Sequence, residues 1–133
     1  MASVQSNELS DLITLRVTAT TGHVGVARAA ATAIAAPLDF TYDRLTDLHI
    51  AIDEACGRVL ATSDPPAGHF ELTFEPGEAG LTVTVKGDGG LKPGAQFLNS
   101  WSRTILEAVA RDIELLEAPD GRVGVRFRVE GGE

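Results

Sequence analysis

The chain has 133 residues, of which 44% are hydrophobic and 23% are charged, as expected for one globular domain with its own core. Its net charge of −8 argues against a nucleic-acid surface, because binding phosphates needs clustered cations. The start of the chain lacks the basic and apolar segments of a signal peptide, and no apolar run is long enough to span a bilayer. We therefore expect a soluble, cytoplasmic protein with a flexible leader over residues 1–10 and a single domain over residues 11–130.

A short strand and an alanine-rich helix are the first elements that the pattern predicts. Apolar and polar residues alternate over residues 12–17, and the helix over residues 23–36 follows a cap at Thr20 or Thr21. Four small residues recur along this helix: Ala29, Ala30, Ala33 and Ala36. They would allow close packing against another helix, or they are simply good helix formers packed on a sheet, and the pattern leaves both open.

Residues 45–62 are predicted to form the central helix, capped by Thr41. Its apolar residues recur at steps of three and four and should face the core: Leu45, Leu48, Ile52, Ala55, Cys56 and Val59. The single cysteine of the chain is therefore expected to be a buried, inert thiol. A second stripe lies roughly opposite and is interpreted as a solvated helix face: Asp47, Ala51, Glu54 and Arg58. Glu54 and Arg58 are four residues apart, so they can form an ion pair.

The second half of the chain predicts two β-hairpins separated by a helix. The first hairpin joins residues 69–75 to 81–85, and the second ends in a strand with an arginine row on its wet face: Arg122, Arg126 and Arg128. The helix over residues 99–111 starts at Asn99 or Ser100 and should bury four residues: Trp101, Ile105, Ala108 and Val109. The order of elements predicts an α/β sandwich, with a mixed, mostly antiparallel sheet and three helices on one face.

The stretch LHIAIDEACGRVLAT in the central helix resembles the Glu-x-x-x-Asn helix of the GHKL ATPases. The version it resembles is that of the anti-sigma-factor serine kinases of the SpoIIAB/RsbW type, and the stretch ILEAVARDIELLE and the order of elements agree. The resemblance extends from about Leu12 to Val129 and implies a Bergerat (GHKL ATPase-like) fold that forms a homodimer through its first strand and helix.

The resemblance also assigns roles to residues of the central helix. In the family this glutamate orients or deprotonates the attacking hydroxyl beside ATP, and the asparagine holds Mg²⁺. Glu54 stands at the glutamate position and is the candidate catalytic residue, whereas Arg58 stands at the asparagine position. A guanidinium has no acceptor atom, so Arg58 cannot coordinate a divalent cation.

Two glycine motifs of the family are altered in this chain. Asp88, Gly89 and Gly90 resemble the Asp-x-Gly-x-Gly that contacts adenine, but strict alignment shifts them by one residue. The family's second motif, Gly-x-Gly-Leu, is replaced by Ser100, Trp101 and Ser102.

The changes at the second motif and before it bear on nucleotide binding. Serine hydroxyls and amides at a helix start could still bind an anion, whereas a tryptophan there would crowd a triphosphate. The connection over residues 91–99 is short for the flexible lid of the family. Together with Arg58, the resemblance places six residues at cofactor-binding positions: Arg58, Asp88, Gly89, Gly90, Ser100 and Ser102.

The resemblance implies two functions, and a third comes from a different class. The first is an anti-sigma factor that sequesters a sigma factor, is countered by an anti-anti-sigma (STAS) protein, and binds ATP weakly or not at all. The alternative is an active serine/threonine kinase that phosphorylates this antagonist with Mg-ATP. The third is a domain cut from a larger two-component or light-sensing system, against which the self-contained ends of the chain argue.

Overall fold

The computed structural model of the chain describes residues 12–132, so the predicted leader lies outside the described residues. The helices and strands follow in the order β1 (Ile13–Thr18), α1 (Thr21–Ala35), α2 (Tyr42–Thr62), β2 (His69–Gly77), β3 (Gly80–Gly87), α3 (Ser100–Val109), β4 (Arg111–Glu117) and β5 (Val123–Glu130). A short 3₁₀ helix, Ala36–Leu38, connects α1 to α2. The predicted order of elements is therefore confirmed.

The strands form one five-stranded sheet in the order β1-β2-β3-β5-β4, and each neighbouring pair is antiparallel. Alternate residues of the three central strands are buried on the face that the helices cover: Phe70, Leu72, Phe74, Leu81, Val83, Val85, Val125, Phe127 and Val129. The α/β sandwich with three helices is confirmed. No parallel pair occurs among the strands within residues 12–132, so the sheet there is purely antiparallel.

The opposite face of the sheet carries charged side chains. Arg126 donates to Glu114 at 2.6 Å, and Arg128 lies 3.0 Å from Asp112. Both pairs join β5 to the edge strand β4 across the solvated face. The predicted wet face of β5 is confirmed, while Arg122 lies just before the strand.

Helix α2 lies between α1 and α3 and supplies much of the core. Its predicted cap is confirmed, since the Thr41 hydroxyl accepts from the amide of Arg44 at 3.2 Å. Five of the six predicted core residues are fully or almost fully buried: Leu48, Ile52, Ala55, Cys56 and Val59. The interpretation of the opposite stripe as a solvated face is wrong. Ala51 is fully buried, and Glu54 and Arg58 are half-buried, because α3 and the segment before it pack on that side.

Helix α1 presents two faces of small residues. Its buried face consists of Ala27, Ala31 and Ala35, and its N-cap is the predicted Thr20. The residues singled out from the pattern lie elsewhere: Ala29, Ala33 and Ala36 are exposed, and Ala30 is half-buried. The option that these residues pack on the sheet is therefore wrong for the exposed three.

The buried face of α3 differs from the predicted one. Trp101 is 71% exposed and Ala108 is also exposed, whereas Ser102 and Leu106 are fully buried. The reason is that Phe97, at 3% exposure, enters the core just before the helix begins, together with its neighbour Leu98. In the part of the chain that the structure describes, no helix is long and apolar enough to cross a membrane.

Candidate functional site

The side chain of Arg58 binds the segment that precedes α3. Its Nε donates to the carbonyl oxygen of Phe97 at 2.7 Å, and its Nη2 donates to that of Gln96 at 3.0 Å. The predicted ion pair between Glu54 and Arg58 is wrong: within residues 12–132, the Glu54 carboxylate has no hydrogen bond or ion pair. Both of these hydrogen bonds have a charged donor and are therefore stronger than bonds between neutral groups.

We call residues 90–98 the strap, because they cross the C-terminal end of α2. The amide of Lys92 donates to the carbonyl of Thr62 at 2.7 Å, and the amide of Asp64 donates to that of Gly90 at 2.9 Å. These bonds satisfy backbone groups where α2 ends, which would otherwise need water or a cap. This connection, which is short for the flexible lid of the family, is thus bonded near both of its ends to α2 and the residues after it.

The strap also contributes to the hydrophobic core. Phe97 is 3% exposed and Leu98 is 8% exposed, and both belong to the core cluster. Leu91, at the other end of the strap, is half-buried and packs against the same cluster. Burial of this kind stabilises the closed position of the strap by several kcal/mol, on the order of 1.5–3 kcal/mol for each large side chain.

Asp88 binds the loop before β2. Its carboxylate accepts hydrogen bonds from the amides of Gly68 at 2.6 Å and His69 at 3.0 Å, and from His69 Nδ1 at 2.9 Å. Arg16 lies 3.6 Å away. The hydrogen bond from the His69 ring, supported by the two amides, lowers the pKa of Asp88 from 3.8 to about 2. The carboxylate that was predicted to contact adenine therefore accepts its hydrogen bonds from groups of the protein itself.

Replacing Asp88 by asparagine is expected to destabilise the protein by about 1–2 kcal/mol at neutral pH, because the amide lacks the charge that its donors stabilise. The folded pKa of about 2 lies below the ordinary 3.8, so this stability is present above about pH 4 and lost as the pH falls towards 2. Urea denaturation of both proteins between pH 7 and pH 2.5 measures the difference. A difference that stays constant over this range would contradict the assignment.

The two glycines after Asp88 allow a close approach of the protein's own backbone. A Cβ at Gly89 would lie 2.4 Å from the carbonyl oxygen of Pro65, and one at Gly90 would lie 3.0 Å from that of Asp64. The missing side chains therefore let the loop after α2 pack on the start of the strap. In this structure the protein's own backbone lies on the side of both glycines where a Cβ would be.

The start of α3 is capped by Asn99, as predicted. The amide of Ser102 donates to the Asn99 side chain at 2.8 Å, and the Ser102 hydroxyl donates to the Asn99 carbonyl at 3.0 Å. Ser102 is fully buried and both groups are bonded within the protein, so anion binding by Ser102 stays a prediction that these bonds argue against. Ser100 is exposed and stays a candidate. Trp101 is 71% exposed, and its crowding of a triphosphate stays a prediction.

A groove of about 530 Å³ lies between the strap, the start of α3 and the inner side of β4. Leu115 and Val123 form one wall, and Leu98, Ser100 and Arg103 lie on the other. Sequence reasoning missed this groove, because its walls come from segments that are distant in the chain. Of the predicted site residues, Ser100 lines it.

The central cysteine is inert, as predicted. Cys56 is fully buried, and burial raises the pKa of its thiol to about 12. A thiol with so high a pKa stays protonated and is a poor nucleophile.

The donor set does not fit the metal ion that the resemblance implies. Arg58 has no acceptor atom, and two of its donors are already bonded to carbonyls of the strap. Within residues 12–132, no three His, Cys, Asp or Glu side chains are grouped to hold a metal ion. Glu54 keeps a half-buried carboxylate that could act as a base.

Residues 17–100 match the family described as histidine kinase-like ATPase domain, and the chain belongs to that family. Within it, the chain is similar to several proteins named serine-protein kinase RsbW. It is 32% identical to the one from Bacillus subtilis (strain 168) over 82 residues, which is 60% of this chain and 51% of the relative. It is 30% identical to the one from Bacillus pumilus (strain SAFR-032) over 88 residues, 63% of this chain and 54% of the relative.

The relative from Halalkalibacterium halodurans is 33% identical over 79 residues, 59% of this chain and 49% of the relative. The chain thus spans about half the length of the curated relatives it matches. The resemblance to the RsbW type that the central helix indicated is confirmed. The matched family region includes Glu54, Arg58 and the glycines at 89 and 90.

Proposed function

We propose that the chain is a cytoplasmic anti-sigma regulatory factor that acts by binding. It would sequester an RNA polymerase sigma factor and release it when an anti-anti-sigma protein of the STAS type competes, with ATP binding weak or lost. Similarity to proteins named serine-protein kinase RsbW supports the regulatory role. The observation that carries the loss of ATP binding is the pair of hydrogen bonds from Arg58 to the strap. Residues 11–130 would form the single domain that does this.

The alternative is an active kinase, and Glu54 is the observation that favours it. Phosphoryl transfer needs a residue to orient the hydroxyl, a metal ligand and donors for the phosphates. Glu54 is half-buried, and among the described residues it has no bonded partner, so it could serve the first need. Arg58 cannot serve the second, and Gly89 and Gly90 pack on the chain itself. The balance favours binding without catalysis.

Isothermal titration with ATP and Mg²⁺, together with pull-down of purified candidate sigma factors, tests the proposal. We expect a sigma factor to be captured without nucleotide and ATP to bind in the millimolar range or not at all. A low-micromolar, Mg²⁺-dependent dissociation constant would place the kinase function first. A transfer assay then decides between the two functions: the protein is incubated with labelled ATP and candidate STAS proteins, and label on the STAS protein is measured. Glu54→Gln is the matched control, because it should abolish transfer if the protein is a kinase.

A homodimer is proposed through β1 and α1. β1 is an edge strand of the sheet, so one side of its backbone has no neighbour among the described strands. Beside it, Leu12, Ile13 and Val26 are 46%, 40% and 43% exposed. Exposed Ala29 and Ala33 would let a second helix approach α1 closely.

Replacing Ala33 by glutamate is expected to convert the dimer to monomer at micromolar concentration, because it places a charge in the proposed apolar contact. Light scattering with size-exclusion chromatography measures the mass. Ala108→Glu is the matched control, since Ala108 is an exposed alanine on α3. If the unmodified protein is monomeric throughout the micromolar range, the proposed dimer is wrong.

A further inference from the structure

We propose that Arg58 is the latch of the strap: it holds residues 90–98 closed on α2 and sets how often this segment opens. The inference concerns a conformational device and goes beyond the regulatory function proposed above. It uses neither a nucleotide nor a sigma factor, so its failure can be distinguished from failure of that function.

The two ends of the strap are held by different kinds of bond. The first end is held by hydrogen bonds between backbone groups, at Gly90 and Lys92. The second end is held by a side chain, since Arg58 donates to the carbonyls of Gln96 and Phe97 at 3.0 and 2.7 Å. A rigid fork that meets two successive carbonyls fixes both the position and the orientation of this end.

The middle of the strap is an exposed turn. Lys92, Pro93 and Gly94 are exposed, and Gly94 has a φ of +79°, a conformation that favours glycine. A Cβ at Gly94 would meet no atom within 4 Å, so this turn is open to solvent. Movement about the turn would separate the second end from the first.

Opening the second end would break its contacts together. The Arg58 bonds would be lost, and Phe97 and Leu98 would leave the core. Burial therefore favours the closed position, and Arg58 adds charge-assisted bonds that exist only when the strap is closed. Because Arg58 lies on α2, the most extensively buried helix, it is a fixed anchor for this segment. The closed position of the strap therefore depends on the burial of Phe97 and Leu98 and on the two hydrogen bonds from Arg58.

Hydrogen exchange of Arg58→Met, compared with the unmodified protein, tests the latch. Methionine keeps an unbranched apolar stem but cannot donate. We expect the amides within residues 92–98 to exchange about tenfold faster or more, at a rate that does not change with low concentrations of urea, because the strap opens without unfolding of the sheet. Arg58→Lys should show an intermediate increase, because it keeps the charge and loses the fork, and it replaces Arg58→Met if that variant fails to fold.

The matched control is Arg28→Met. Arg28 donates to Asp53 at 2.6 Å on the exposed surface between α1 and α2, so this variant removes an equal charge and a short bond elsewhere. It should leave exchange in the strap unchanged. The latch is wrong if the strap amides of the Arg58 variants do not accelerate, if their exchange depends on urea as strongly as that of β3 and β5, or if Arg28→Met accelerates the strap equally.

Discussion

Replacing Phe97 by alanine is expected to lower the free energy of unfolding by about 3–5 kcal/mol, the range for a fully buried phenylalanine. Phe97 lies in a connection between β3 and α3, where large effects on stability are unusual. Here the side chain is 3% exposed and belongs to the core cluster, so its removal leaves a cavity that the fold cannot readily close. Urea denaturation followed by circular dichroism measures the change.

The neighbouring variant Gln96→Ala is the control for this prediction. The Gln96 side chain is exposed, and its contribution to the strap is its backbone carbonyl, which alanine retains. Its effect is expected to lie within about 0.5 kcal/mol. A loss below about 1 kcal/mol for Phe97→Ala would mean that the strap detaches at little cost and behaves as a mobile lid.

The elements of this fold could be predicted because they depend on local patterns. The three- and four-residue steps of α2, the alternation of β2 and β3, and the caps at Thr41 and Asn99 each involve residues close in the chain. Where several local signals agree, the structure follows them. Five of the six residues that were predicted for the buried face of α2 are buried, whereas Ala51, which is also buried, was assigned to the solvated face.

The contacts of the site could not be predicted because they join distant residues. Arg58 and Phe97 are 39 residues apart, and Asp88 and Gly68 are 20 apart. A four-residue spacing suggested Glu54 as the partner of Arg58, whereas tertiary packing brought two carbonyls closer. The same limit applies to α3, where Phe97, outside the helix, entered the core and left Trp101 exposed.

Family membership and site chemistry lead to different conclusions for this chain. The family match over residues 17–100 is consistent with the sandwich and with the place of α2 in it. The family match does not determine what Arg58 does. Where the family has an asparagine, whose amide oxygen can accept, this chain has a guanidinium with five donors and no acceptor. In the structure these donors bind the backbone carbonyls of Gln96 and Phe97 in the strap.

Replacing Arg58 by asparagine is expected to bring no Mg²⁺-dependent ATP binding and to lower the free energy of unfolding by about 2–4 kcal/mol. Asparagine restores the metal ligand that the resemblance implies. Its short side chain, however, cannot reach the carbonyls of Gln96 and Phe97 that Arg58 binds. If Arg58 formed only an exposed ion pair with Glu54, its removal would lower the free energy of unfolding by only about 0.3–0.5 kcal/mol. The size of the loss therefore distinguishes this ion pair from the observed bonds to the strap.

Isothermal titration with ATP, with and without Mg²⁺, and thermal unfolding of the same samples measure both effects of Arg58→Asn. Arg58→Ala is the matched control, because it removes the same bonds and supplies no metal ligand. The two variants should lose similar stability and neither should bind ATP, since Ser102 is buried and Gly89 and Gly90 pack on the chain. A strong gain in affinity for Arg58→Asn alone would show that the rest of the nucleotide pocket is intact, and the proposal of a protein that acts only by binding would then be wrong.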